Sequence, residues 1–161
     1  MDEVCIDVDA PAGTVWDLVS DVTRAGEWSP EATGARWRGG ATGPAPGVRF
    51  VGFNRHGPIR WRTHCVVETC ERPAAFSFRV AESGMRWGWR IEPTGSATCR
   101  VTQWRDRYRT PNVLVRALTG SGILGRDRER LMVEGMHATL AAVRSHVGHT
   151  ARSDGTATAG D

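Results

Sequence analysis

Hydrophobic and polar positions alternate with two different periods along this chain, and the change of period divides it. Near the start, Val4, Ile6 and Val8 alternate with Glu3, Cys5, Asp7 and Asp9, the period-two signature of a half-buried strand. Pro11 then suits the first turn of a helix, where its missing N–H costs nothing, and Val15, Leu18, Val19 and Val22 follow at helical spacing. Residues Thr23–Pro30 predict a second short helix or turn that stops before Pro30. Period two resumes after a brief strand at Arg36–Arg38 and a loop over residues 39–47 holding four Gly and two Pro. Phe50 opens one strand. Trp61, Thr63, Cys65 and Val67 share a face of the next, opposite Arg60, Arg62, His64 and Glu68. Phe76, Phe78 and Val80, then Trp87, Trp89 and Ile91, then Cys99, Val101, Gln103, Arg105 and Arg107 continue the alternation. Turns every 8–15 residues separate these runs, which argues for an antiparallel meander.

From about Ile123 the period becomes helical. Met132, Met136, Leu140, Val143 and Val147 recur at steps of four, four, three and four, one stripe of a helix roughly seven turns long. An amphipathic helix of that length can cover the apolar face of a curved antiparallel sheet. The predicted fold class is therefore α+β: six or seven strands around a long C-terminal helix, with two short helices after the first strand. Residues 1–147 form one domain in this reading. Residues 148–161, rich in Gly, Ala, Ser and Thr, are expected to be a disordered tail.

Composition sharpens the picture in three places. Seven Trp and four Phe are a large aromatic supply for 161 residues, enough to build a core or to line a pocket. No stretch of eighteen apolar residues occurs and the N-terminus lacks a signal peptide's basic start, so the expectation is a cytoplasmic protein without membrane insertion, its four Cys reduced. Charge is segregated. Residues 1–31 carry eight acids and one Arg, whereas residues 32–67 carry six Arg and no acid, and such blocks are expected to pair with each other. No Lys is present; all 21 basic residues are Arg. A nucleic-acid footprint would need basic groups clustered with readable base contacts, and the expectation is no nucleic-acid partner.

Motifs of catalysis are sparse. There is no G-x-S-x-G elbow, and Gly120-Ser121-Gly122 has the wrong spacing for one. No H-E-x-x-H occurs, and the loop Gly43–Gly47 leads into a strand rather than a helix, which removes the usual zinc-protease, P-loop and dinucleotide readings. Cys65 and Cys70, five apart on a strand, are expected on opposite faces and so not to share a metal. Neither a metal nor a cofactor is expected.

Polar groups on predicted inner faces are more informative. Phe50 facing inward turns Asn54 and His56 inward with it, and Val101 brings Gln103 and Arg105. Buried polar groups that stay unpaired cost about 1–3 kcal/mol each, so these reach partners, a ligand or the mouth of a cavity. Trp28, Trp61, Trp87, Trp89, Met132 and Met136 complete the candidate ligand-binding set. Pockets take this form: aromatic walls with a few placed polar groups.

Several pieces of the chain, in order, resemble the SRPBCC (START-like) superfamily in its polyketide cyclase/dehydrase branch. They are Val8-Asp9-Ala10-Pro11-Ala12 with Val15-Trp16-Asp17-Leu18, and Glu27-Trp28-Ser29-Pro30. Pro46-Gly47-Val48-Arg49-Phe50, Trp61-Arg62-Thr63 and Phe76-Ser77-Phe78 follow. Gly95 through Thr102 and Gly135-Met136 with Thr139-Leu140 complete the set. The resemblance spans residues 3–147 and implies a helix-grip fold around a cavity for a small hydrophobic molecule. Two functions follow from it. The first is binding of a lipid- or polyketide-like ligand by a monomer or homodimer. The alternative is a polyketide cyclase or dehydratase acting on a ligand in the same cavity. The enzyme needs a general acid or base beside the ligand, and His56, His64 and Glu134 are the candidates. His64 is expected to face outward and Glu134 lies off the apolar stripe, so the binding reading leads.

Overall fold

The computed structural model describes residues 1–110 and 125–155, and within the second stretch the side chains of residues 130–148. Seven antiparallel strands form one curved sheet: β1 (Asp2–Val8), β2 (Ala32–Trp37), β3 (Arg49–His56), β4 (Ile59–Glu71), β5 (Ala75–Val80), β6 (Met85–Pro93) and β7 (Cys99–Arg107). Their order is β1-β7-β6-β5-β4-β3-β2. Strands β2 to β7 are thus the predicted meander, and β1 closes the far edge against β7. Between β1 and β2 the chain crosses from one sheet edge to the other through α1 (Ala12–Ser20) and a 3₁₀ helix (Val22–Glu27). The long helix α2 runs Gly125–Gly155.

The period-two reading fixes which face each strand buries, because antiparallel partners across the ladder share a face. Val4 stands opposite Gln103, Trp89 opposite Gln103 and Phe76, Phe78 opposite Trp87 and Val67, and Phe50 opposite Cys65 and Trp37. All of them lie on the inner face, which carries the helices. Val15, Trp16, Leu18 and Val19 of α1 and Met136, Leu140, Val143 and Val147 of α2 join the same buried cluster. Helix α1 packs on β5 and β6, and α2 packs on β1, β7 and α1. Neither helix packs extensively on β3 or β4 among the described residues. Among the described residues, α1 and α2 seal the β1, β5, β6 and β7 end of the inner face and not the β3–β4 end, while the 3₁₀ helix packs on β2.

Four expectations change. Cys65 and Cys70 share the inner face instead of opposing each other. A register shift between Val67 and Thr69 inserts one residue, so Val67 pairs with Phe78 but Cys70 pairs with Phe76. Such a bulge reverses every following side chain. No cluster of three or more His, Cys, Asp or Glu side chains placed to hold a metal ion occurs among the described residues. Strand β2 is longer than the expected Arg36–Arg38 and begins at Ala32. Helix α2 continues past Val147 to Gly155, so the boundary expected at residue 148 is not the helix end; residues 156–161 lie outside the described residues, as does Gly120-Ser121-Gly122. The two charge blocks, finally, do not neutralise each other. Strand β1 sits at the opposite edge from β2–β4, so its acids meet other arginines: Asp2 meets Arg105, Glu3 meets Arg90 and Asp7 meets Arg100. No helix of the described residues is long and apolar enough to cross a membrane.

Candidate ligand site on the inner face

The sealed end holds the deepest candidates. Trp89 is 1% exposed and Met136 and Phe50 are buried. Trp28, which ends the 3₁₀ helix, stands edge-on to Trp89 with ring centroids 5.4 Å apart. Helix α2 approaches the same turn, since a Cβ added at Gly135 would lie 3.8 Å from Pro30. Trp89 is also the cross-strand partner of Gln103, which is 5% exposed. Two buried polar atoms here have no hydrogen-bond partner among the described residues: the Gln103 Oε1 acceptor and the Trp28 Nε1 donor. Trp16, by contrast, spends its indole N–H on the Ala75 carbonyl at 3.0 Å. Most buried polar atoms in proteins are satisfied, so an orphaned acceptor and an orphaned donor flanking one tryptophan are unusual.

The unsealed end is half-buried. Asn54 Nδ2 donates to Thr63 Oγ1 at 3.3 Å on the inner face of β3 and β4. Between Phe50 and Asn54 that face carries Gly52, which presents no side chain; a Cβ there would sit 2.8 Å from Thr63 Oγ1. Trp61, opposite Asn54, is 37% exposed. Trp87 and Met132 are intermediate in exposure. Arg105 is buried, bonded through Nε to Asp2 Oδ2 at 2.8 Å, and its guanidinium lies 5.9 Å from the Trp87 ring centroid. Burial with a carboxylate partner satisfies its charge, which answers how this arginine is accommodated beside apolar neighbours. Arg107, two residues on, is exposed.

The acid–base candidates stand away from this interior. His56 shares the parity of Asn54, but at the strand end its side chain is 73% exposed and its Nδ1 lies 3.7 Å from Glu31. His64 faces outward, bonded to Glu82 at 2.6 Å. Glu134 pairs with Arg130 on the exposed side of α2. His146 is engaged by Glu27 and Arg24, and the side chain of His149 lies outside those described. As for nucleophiles, burial pushes the Cys65 thiol up to about 12, so it stays protonated and inert at neutral pH.

Sequence reasoning missed Asp2 and Trp37. Asp2 continues the Val4–Ile6–Val8 parity one step further, which would have placed it opposite Arg105. Trp37 packs edge-on to Phe50 at 5.5 Å and lies on a strand whose start the pattern did not reveal. A groove of about 260 Å³ is lined by the outer-face residues Ser77, Arg90, Trp104 and Asp106 together with Phe76 and Trp89.

Comparison with known proteins agrees with this architecture. A family model described as polyketide cyclase / dehydrase and lipid transport matches residues 3–147. The chain is similar to a polyketide-cyclase-like protein of Corynebacterium glutamicum, with 28% identity and a TM-score of 0.59, covering 89% of this chain and 88% of that one. A START superfamily protein from Mycobacterium smegmatis shares 15% identity with a TM-score of 0.66, covering 92% of this chain and 97% of that one. The di-domain ARO/CYC StfQ of the steffimycin biosynthetic pathway shares 14% identity with a TM-score of 0.67, covering 96% of this chain but 47% of that one. At these lower identities the likeness is one of fold, and the chain spans about half of the di-domain protein. No curated protein matches.

Proposed function

We propose that this chain, which belongs to the polyketide cyclase / dehydrase and lipid transport family, binds a small, largely apolar molecule on the inner face of its sheet. The observation that carries the reading is a pair of buried atoms without a partner among the described residues, Gln103 Oε1 and Trp28 Nε1, on two side chains that both neighbour Trp89. An apolar wall with one acceptor and one donor matches a ligand that is mostly hydrocarbon with a hydroxyl or carbonyl at one end. Phe50, Trp89 and Met136 supply deep apolar contact; Asn54, Trp61, Trp87 and Met132 line the way in. Arg105, held by Asp2, gives that side of the site a fixed positive group, and His56 stands at the rim. Binding occurs within residues 1–147, with residues 148–161 taking no part, and needs neither cofactor nor metal.

The alternative, cyclisation or dehydration of a polyketide-like chain, draws on the same family description and on likeness to the di-domain ARO/CYC StfQ. It is weaker because His56, His64 and Glu134 are solvent-exposed or ion-paired outside the apolar interior. Titration with polyketide-like and lipid-like aromatic probes, followed by tryptophan quenching, tests the proposal. Quenching should saturate, and Trp87→Leu with Gln103→Leu should weaken it. No saturation by any probe class would remove the binding reading, whereas turnover of a polyketide-like probe would favour the enzyme.

A further inference from the structure

Charge is scarce on the inner face and mostly of one sign. The seven strands turn one acid inward, Asp2, and three basic groups, Arg105, Arg107 and His56. Arg107 and His56 sit exposed at strand ends. The other strand acids, Glu3, Asp7, Glu68, Glu71, Glu92 and Asp106, belong to the outer face. On α2 the side chains of Arg130, Glu134, His137 and Arg144 are exposed. Arg105 is therefore the charge this interior has to accommodate: its side chain is 8% exposed, against 47% for its partner Asp2.

Register sets Arg105 between Asp2 on β1 and Trp87 on β6. Its Nε donates to Asp2 Oδ2 at 2.8 Å, and its Nη2 lies 2.7 Å from the same oxygen. These contacts occupy one edge of the planar guanidinium. On the other edge, Nη1 has no acceptor among the described residues and is not enclosed. The Trp87 ring flanks the group, its centroid 5.9 Å from the guanidinium carbon.

A free guanidinium edge offers two parallel N–H groups, the arrangement a carboxylate accepts with both its oxygens. Burying an arginine is costly unless its donors are paired, and a half-exposed aspartate that gives a single oxygen pairs only one side of it. A phosphate fits less well. Its further oxygens and charge call for more donors, and among the described residues the strands turn no second buried basic group to the inner face. Gln103 lies two residues along β7, about 7 Å away in an extended strand, with Trp89 as its cross-strand neighbour. An acid at Arg105 and a hydroxyl or carbonyl at Gln103 are thus spaced as the two ends of one small molecule whose body lies against Trp87 and Trp89.

We propose that the ligand of the inner face is an apolar carboxylic acid whose carboxylate takes the free edge of Arg105. Asp2 is a positioning residue: it holds the opposite edge and fixes the plane of the guanidinium. This names the class of ligand and rests on the reading that the inner face binds a small apolar molecule.

Calorimetric titration of the full chain with acids and their methyl esters tests this. The probes are ricinoleic acid with methyl ricinoleate and orsellinic acid with methyl orsellinate, one lipid-like and one aromatic pair, each ester keeping the skeleton and removing the charge. At neutral pH at least one acid should bind about tenfold more tightly than its ester, as expected for a charge-assisted hydrogen bond. Arg105→Gln should abolish that preference and leave ester binding in place. Asp2→Asn keeps an acceptor for Nε but removes the neighbouring negative charge, so acid affinity should rise while ester affinity stays level; a purely structural ion pair predicts a loss of both. If Arg105→Gln does not fold, Asp2→Asn with Arg105→Gln removes both charges of the pair and should bind acid and ester alike. Equal affinity for acid and ester in the unaltered protein overturns the proposal and leaves binding of an apolar molecule standing. Acid preference that survives loss of Arg105, or equal loss of acid and ester binding in a folded Arg105→Gln, also overturns it. Binding of neither form of either skeleton removes the underlying reading and this proposal together.

Discussion

Replacing Gln103 by leucine should make the protein more stable and a poorer binder at once. The side chain is 5% exposed, its Oε1 has no partner among the described residues, and its cross-strand neighbours on the inner face are Val4 and Trp89. An unsatisfied buried acceptor costs about 1–3 kcal/mol, and leucine of comparable size removes that cost while adding apolar contact. Part of the gain is offset by whatever the amide nitrogen contributes, at about 1 kcal/mol for an ordinary hydrogen bond. The expected net gain is about 1 kcal/mol, a rise of roughly 2–4 °C in Tm for a domain of this size. Affinity for a hydroxyl- or carbonyl-bearing probe should fall about tenfold, the equivalent of about 1.4 kcal/mol. Urea unfolding and probe titration on the same preparation read both effects. Gln103→Glu should lose stability instead, because it buries a carboxylate beside aromatic rings. If Gln103→Leu is destabilised by more than about 1 kcal/mol, the amide is a structural hydrogen-bonding group and the reasoning from its orphaned oxygen fails.

Other perturbations test the frame. Leu140 is fully buried between α2 and the sheet, so Leu140→Ala should cost about 2–5 kcal/mol in urea unfolding; a loss near zero would mean α2 is not the lid. A Cβ at Gly88 would run into the Trp104 ring on the outer face, so Gly88→Ala should lower Tm by several degrees, at a cost of about 1–3 kcal/mol. Acid should destabilise the fold. Hydrogen bonds from Arg72, Arg100 and Arg24 hold Asp17, Asp7 and Glu27 below their ordinary values of 3.8, 3.8 and 4.5. Depressed carboxylates stabilise above those values and lose the contribution as pH falls through the folded ones, so Tm should be level near neutrality and drop below about pH 4, with Asp17→Asn flattening the drop. Truncation after Gly148 should leave Tm and probe affinity unchanged, Val147 being the last buried side chain of α2 among those described; a fall of several degrees would give the final residues a structural role.

Face was legible in the sequence, and depth was not. Period two assigned Phe50, Trp61, Trp87, Trp89, Val101 and Gln103 to the inner side, and the ladder agrees at each of them. Yet Trp61 and Trp89 carry the same signal while one is largely accessible and the other fully enclosed. Enclosure depends on where α1 and α2 land, which strand periodicity does not encode. The bulge at Glu68 was equally silent, since Val67-Glu68-Thr69 contains no glycine to mark it, and it carried Cys70 to the wrong side of the expected pattern. Arg105 illustrates a third limit. Its partner Asp2 lies at the opposite end of the sequence, and only the β1–β7 pairing joins them.

That pairing has a consequence for how the chain reaches its native state. Strands β3 to β7 are successive hairpins whose partners lie close in sequence, so each can form as soon as both its arms are available. Strand β1 precedes the other strands in the chain, yet its ladder partner among the described residues comes about a hundred residues later, at Cys99–Arg107. The helix that covers both strands comes later still. Residues 2–8 therefore stay without this partner until β7 has been made, and pairing them closes a loop of about a hundred residues, which carries an entropic cost. Their acidic residues Asp2, Glu3 and Asp7 keep this waiting segment hydrated and discourage edge-to-edge association until β7 arrives to accept it.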